Sequence, residues 1–243
     1  MNENNEYTEV GYVKPKFGTR EWLENFWYHY KWHSIVAAFL VITLTISLLQ
    51  TCSKVSYDIN ILYAGSYEIE RGGTSYTSTI HSLKRVCEDF NDDGDVNVSL
   101  RDLYMLSNAE IDKILEENPS AEINQALLNE NNDTFYDLVL MGDYYLYILS
   151  VDLFEGTKTM FDTEIFADLT PYVEGTDAVM YSNTAIYLSS LDFYALQGIS
   201  DFPAEDTVIC IKALTSISSN KAVKNQKKAI DVLKNMISYD IGG

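Results

Sequence analysis

The sequence predicts an α/β protein: an N-terminal transmembrane helix followed by a three-layer, mainly parallel-sheet domain. Three observations carry this. Residues 34–51, SIVAAFLVITLTISLLQT, hold no charge, Pro or Gly. Beyond them, short β-rich runs alternate with helical periods, the pattern of strands joined by helical crossovers. The charge is lopsided: residues 51–243 carry 13 Lys/Arg against 31 Asp/Glu, −18 of the chain's −19.

Eighteen helical residues rise about 27 Å, close to the roughly 30 Å hydrocarbon layer of a bilayer. Residues 34–52 are therefore assigned as a transmembrane helix. The preceding REWLENFWYHYKWH, residues 20–33, is dense in Trp, Tyr and Phe. Such rings partition to the headgroup level, so this stretch reads as a juxtamembrane interfacial helix. Lys14, Lys16, Arg20 and Lys31 precede the apolar run and only Lys54 closely follows it. The positive-inside rule then places residues 1–19 in the cytoplasm and residues 53–243 outside the cell membrane. The length of chain before the apolar run favours an uncleaved anchor over a signal peptide. Leu49-Gln50-Thr51-Cys52 is a poor lipid-attachment box, because Thr51 stands where a small residue belongs.

In the outer domain, Val55–Leu62 alternates as a first strand, ending at Ala64-Gly65-Ser66. A helix over 75–90 follows, capped by Thr74 or Ser75, with Ile80, Leu83, Val86, Cys87 and Phe90 on one face. Asn91-Asp92-Asp93-Gly94-Asp95 marks a turn, and Val96, Val98 and Leu100 begin a second strand. Helical periods over 108–117 and 120–141 lead to a third strand, Tyr144–Ser150. A helix over 151–161 precedes the turn Asp168–Val173, which runs into one helical turn. Residues 184–190 read as a fourth strand, a short helix starts at Leu191, and Thr207–Leu214 is the fifth strand. The last helix, 221–238, buries Val223, Ile230, Leu233 and Ile237 and carries five lysines outward.

The acidic body repels phosphate backbones, which argues against nucleic acid as a partner, and it repels anionic headgroups. Three cysteines close no disulfide framework, and a Cys87–Cys210 bridge stays open. His81 is the sole histidine of the outer domain, and GxSxG and HExxH are absent, so no enzyme is expected. Asn91, Asp93, Asp95 and Asn97 have the alternating oxygens of a calcium loop. Val96 replaces the needed glycine, Asp102 replaces the closing glutamate, and the strand that follows carries Asp102 away. A plain helix-to-strand turn is the simpler reading, with no cofactor required. In open α/β sheets ligands bind beyond the carboxyl ends of the strands. That points to Gly65 and Ser66 after the first strand and to Ser150 and Asp152 after the third.

The order of strand, helix, FNDDGDVNV and then DLVLMGDYYLYILSVDLF…FADLTPYV resembles the N-terminal lobe of extracellular solute-binding proteins of ABC importers. Membrane-tethered relatives in Gram-positive gut bacteria are similar. The resemblance runs over roughly residues 56–175 and implies a membrane-anchored, solute-binding-like domain in transport or sensing. It implies ligand positions at Gly65, Ser66, Ser150 and Asp152. That family closes two lobes on a ligand, and this chain supplies one. The alternative expectation is a non-catalytic structural or interaction subunit of a membrane complex. The expected partners are the bilayer, through residues 20–52, and either a small molecule or a membrane protein.

Overall fold

The computed structural model describes residues 16–52, 55–70, 72–161 and 164–242. The expected cytoplasmic tail lies outside them up to residue 15. The chain divides into two compact units, Met1–Val55 and Ser56–Gly243.

The first unit holds helix α1, Arg20–Cys52. The interfacial and transmembrane segments expected separately are one uninterrupted helix. No Pro or Gly lies between Gly18 and Gly65, and helices bend sharply at such residues. The helix is long and apolar enough to cross a membrane, and none of its apolar window is buried against protein. Two hydroxyls of its apolar run are satisfied internally: Thr43 and Thr45 donate to the carbonyls of Phe39 and Val41, at 2.9 and 2.8 Å. That removes the cost of an unpaired polar group in an apolar medium.

The second unit is a six-stranded sheet, ordered β2-β1-β3-β6-β5-β4. Its elements are β1 (Ile59–Gly65), α2 (Thr74–Lys84), β2 (Val98–Tyr104), α3 (Asn108–Glu117), α4 (Gln125–Met141), β3 (Leu146–Ser150) and α5 (Val151–Met160). Then come α6 (Thr170–Val173), β4 (Met180–Ser182), β5 (Ala185–Tyr187), two 3₁₀ turns, β6 (Thr207–Ile211) and α7 (Asn220–Ile237). Three layers result, as expected. Ile61, Tyr63, Leu146, Ile148 and Ile209 face α2 and α7, which contribute Leu83, Val232, Leu233 and Met236. Leu62, Tyr147, Leu149, Val208 and Cys210 face α4 and α5, through Phe135, Val139 and Phe154. Cys87 belongs to the first core and Cys210 to the second, so the sheet separates them; both are free and buried.

The sheet is mixed. β1 pairs in parallel with β2 and β3, whereas β3–β6, β6–β5 and β5–β4 are antiparallel. Parallel neighbours need a crossover of about a dozen residues or more. β4 and β5 are joined through Asn183-Thr184 alone, which permits only a hairpin. β4, with three half-buried residues, is too short to register as a period in sequence.

Three boundaries moved for local reasons. The first strand begins at Ile59, because the Asp58 carboxylate is committed to a loop. Helix α2 stops at Lys84, because the amides of Phe90 and Asn91 turn to Asp58. The fourth strand keeps only Ala185–Tyr187 before tightening into a 3₁₀ turn. Helix α3 opens on a capping box, with Ser107 and Glu110 each accepting the other's amide.

Candidate ligand-binding edge

The order β2-β1-β3 makes the gap between β1 and β3 a topological switch point, where connections leave toward opposite faces. Ala64 is in register with Leu149, so Gly65 and Ser150 end their strands side by side. The structure thus brings the two predicted pairs, Gly65–Ser66 and Ser150–Asp152, to one place.

Tyr63 shapes this edge. Its ring packs tilted against Phe202 with centroids 4.6 Å apart, and its hydroxyl accepts the Tyr67 amide at 2.9 Å. A Cβ on Gly65 would meet that hydroxyl at 2.9 Å, so a larger residue there displaces the tyrosine. Tyr67 in turn donates to Asp201 at 3.3 Å. Ser150 is buried and precedes α5 without capping it. The first amide of α5, on Val151, donates instead to Asp206, at 2.8 Å to the carbonyl and 3.2 Å to the carboxylate. Asp206 therefore takes the first amide of the helix start that would attract an anion, and sets an acidic group beside it. Asp152 is exposed in the same first turn.

The electrostatics are consistently acidic. Burial raises the Asp206 carboxyl above its ordinary value; Glu110 and Asp152 push the same way, and the Val151 amide opposes them. Burial also raises the Tyr63 hydroxyl, with Glu110 and Asp206 adding to it. Tyr104 is raised by burial, then by Glu68 and Glu110. Beside this edge a cleft of about 370 Å³ lies between Glu68, Glu70, Arg101, Asp102, Tyr104 and Asn131. Glu110, Asp201 and Asp206 escaped the sequence reading. Only the fold carries them from distant segments to the ends of β1 and β3.

The expected calcium loop is organised from within. Asn91 Oδ1 accepts the Asp93 amide at 2.9 Å, and Asp93 Oδ1 accepts the Asp95 amide at 3.0 Å. Asp89 accepts the amides of Gly94, Asp93 and Asn91, which lower its carboxyl below the ordinary value, the Gly94 bond most. Asp58, buried behind the loop, accepts those of Phe90, Asn91 and Asn97. Among the described residues, no three His, Cys, Asp or Glu converge as a metal site needs. Asp58 and Asp89 are the loop's organisers, and neither belongs to the predicted set. The signal was Asp58 itself, a lone acid within a β-forming run.

At the opposite, amino edge a smaller cleft of about 150 Å³ carries both signs of charge, with Asp58, Asp143, Lys221 and Lys228 among its lining residues. Lys221 pairs with Asp143, and Lys228 donates to the Asp58 carbonyl at 2.8 Å. Its charges are matched to one another.

Comparison of the chain with protein-family models, curated proteins and solved structures returns no match.

Proposed function

We propose that this chain is a membrane-anchored, non-catalytic binding protein whose outer α/β domain takes a small cationic ligand at the carboxyl ends of β1 and β3. The observation that carries the reading is the meeting of Gly65 and Ser150 at the switch point, ringed by Glu110, Asp152, Asp201 and Asp206. Acid and tyrosine groups there suit an ammonium or guanidinium, through charge and through the faces of Tyr rings. The acidic groups at the start of α5, Asp152 and Asp206, disfavour a phosphate or carboxylate. The likeness to one lobe of a solute-binding protein supports the same place, and α1 supplies the tether.

The test is thermal melting of residues 56–243, a unit with its own two cores, against polyamines, basic and acidic amino acids, sugars and inorganic phosphate. A ligand that binds only the folded state stabilises it by mass action, about 2.7 kcal/mol at a hundredfold excess over Kd. Cationic members should raise the melting temperature, and Asp152→Asn should weaken the shift. A shift with phosphate alone, or with none of the panel, overturns the reading.

A second reading, an interaction subunit of a membrane complex, is favoured by the exposed aromatic residues around α1, among them Trp27, Tyr28 and Trp32.

A further inference from the structure

Six polar or charged residues are buried among those described: Asp58, Thr79, Ser82, Ser150, Thr157 and Thr207. Four are satisfied from within. Asp58 accepts three amides, Thr79 bonds the carbonyls of Ser75 and Gly198, Ser82 that of Gln197, and Thr157 that of Leu153. The hydroxyls of Ser150 and Thr207 have no hydrogen-bond partner among the described residues, although the two residues are only 4% and 2% exposed. Among the described residues, no side-chain nitrogen or oxygen shut off from the surface lacks a partner. The two hydroxyl oxygens are therefore the atoms through which Ser150 and Thr207 meet the surface.

The same two residues are partners in register, across β3 and β6. The next pair outward is hydrogen-bonded, with the Val151 amide donating to the Asp206 carbonyl at 2.8 Å. Ser150–Thr207 is thus a non-hydrogen-bonded pair, the kind whose side chains stand closer, with Cβ atoms about 4.5–5.5 Å apart. Gly65 follows Ala64, the partner of Leu149, so Gly65, Ser150 and Thr207 form the last row of the sheet at the carboxyl edge. Alternation puts that row on the face of Tyr63, Ile148 and Ile209. At its β1 end the Tyr63 hydroxyl lies 2.9 Å from where a Cβ on Gly65 would stand. The charge around the row has one sign: Glu110 and Asp206 both act on Tyr63, and Asp206 directly precedes Thr207.

We infer that the Ser150 and Thr207 hydroxyls receive two N–H groups of one primary ammonium at the site proposed above. Two acceptors about 2.8 Å from a tetrahedral nitrogen lie about 4.6 Å apart, which suits a close cross-strand pair. The carboxylates attract a cation without directing it, and the hydroxyls supply the direction. A quaternary ammonium carries the same charge but has no N–H to give them. A neutral polyol would meet the hydroxyls and leave the carboxylates unanswered. The inference rests on the reading of this edge as a cation site and adds the class of cation.

The test is calorimetric titration of the full chain in detergent micelles with 1,4-diaminobutane and with tetramethylammonium, for the parent, Ser150→Ala and Thr207→Val. The diamine should bind the parent, and each substitution should weaken it about tenfold, the loss of one hydrogen bond to a charged group. Tetramethylammonium should bind more weakly and equally to all three. Without ligand, neither substitution should lower the melting temperature, because neither hydroxyl bonds to the protein. That readout separates a ligand role from a structural one. Equal diamine affinity in all three proteins, tetramethylammonium bound as tightly as the diamine, or a melting temperature several degrees lower in both variants overturns the inference and leaves the acidic edge as a cation site. A parent that binds neither cation overturns the inference and the proposed function together.

Discussion

Replacing Asp58 with alanine removes the shared acceptor of three main-chain amides. Asp58 is 2% exposed. Its Oδ1 accepts from Phe90 at 2.8 Å and Asn91 at 3.1 Å, and its Oδ2 accepts from Asn97 at 2.8 Å. A hydrogen bond to a charged group contributes about 1.5–3 kcal/mol, and a buried donor left bare costs a similar amount. Asn91 keeps a second acceptor in Asp89 at 3.3 Å, so Phe90 and Asn97 carry most of the loss. The Asp58 amide and carbonyl keep their partners, Asn97 and Lys228, in the alanine variant. The expected cost is about 3–5 kcal/mol, a large share of the roughly 5–15 kcal/mol that holds a domain folded. Urea unfolding of residues 56–243, followed by circular dichroism, measures it. Asp58→Asn is a sharper probe. Its oxygen can serve Phe90 and Asn91 while its amide nitrogen meets the Asn97 N–H donor to donor, for a cost of about 2 kcal/mol. Asp95→Ala, exposed in the same loop and outside the left-handed backbone region that Asp92 adopts, is the surface control, expected within about 1 kcal/mol. A loss below about 1 kcal/mol for Asp58→Ala, or an equal loss for the two Asp58 variants, refutes the assignment of Asp58 as the organiser of this loop.

Three further outcomes follow from the geometry. Gly198 has φ +83°, and a Cβ there would lie 2.5 Å from the Thr79 amide nitrogen of α2, so Gly198→Ala should destabilise the domain by about 2 kcal/mol or more in the same assay. The Asp206 carboxyl is raised in the folded state, so folding favours its protonated form; the stability it contributes is full below its unfolded value and is lost as pH rises through the folded one. Asp206→Asn, whose oxygen still accepts the Val151 amide, should therefore be more stable than the parent at pH 7, with the gain shrinking toward pH 3; a pH-independent difference counts against a desolvated carboxyl. Burial pushes the Cys87 thiol up to about 12 and the Cys210 thiol well above its ordinary value. A disulfide reagent at pH 8 should find no reactive thiol in folded residues 56–243 and two after unfolding, whereas one or none after unfolding would mean a bridge.

The first half of the domain was largely legible because its elements are long, periodic and separated by strong punctuation. Helix α3 and helix α5 fall almost where periodicity and Gly/Pro spacing put them, and the candidate ligand residues followed from their place just after the first and third strands. The second half was legible in part: its last helix and the start of β6 fall where they were predicted, while β4 was missed and β5 is shorter than expected. Its strands are three to five residues long, and a hairpin of that size leaves no period to detect. Whether β6 runs parallel or antiparallel to β3 depends on where the chain returns after a long irregular connection, which composition does not encode. Residues 20–33 and 34–52, read from aromatic density and from lack of charge as two segments, form one helix because no helix breaker separates them.

What the sequence determined by itself is local and cumulative: an uncharged run of membrane-spanning length, the alternation that builds a three-layer α/β body, and an acidic surface. Each is written in neighbouring residues, and covalent order enforces it. The tertiary structure alone decided the rest. It carried Asp201 and Asp206 to the ends of β1 and β3 beside Tyr63, Tyr67 and Glu110. It set Asp58 beneath a loop more than thirty residues away, at Phe90–Asn97. It also put Cys87 and Cys210 on opposite faces of one sheet. The physical reason is that such contacts depend on strand order and register, which are settled by packing of the whole core rather than by any stretch of chain.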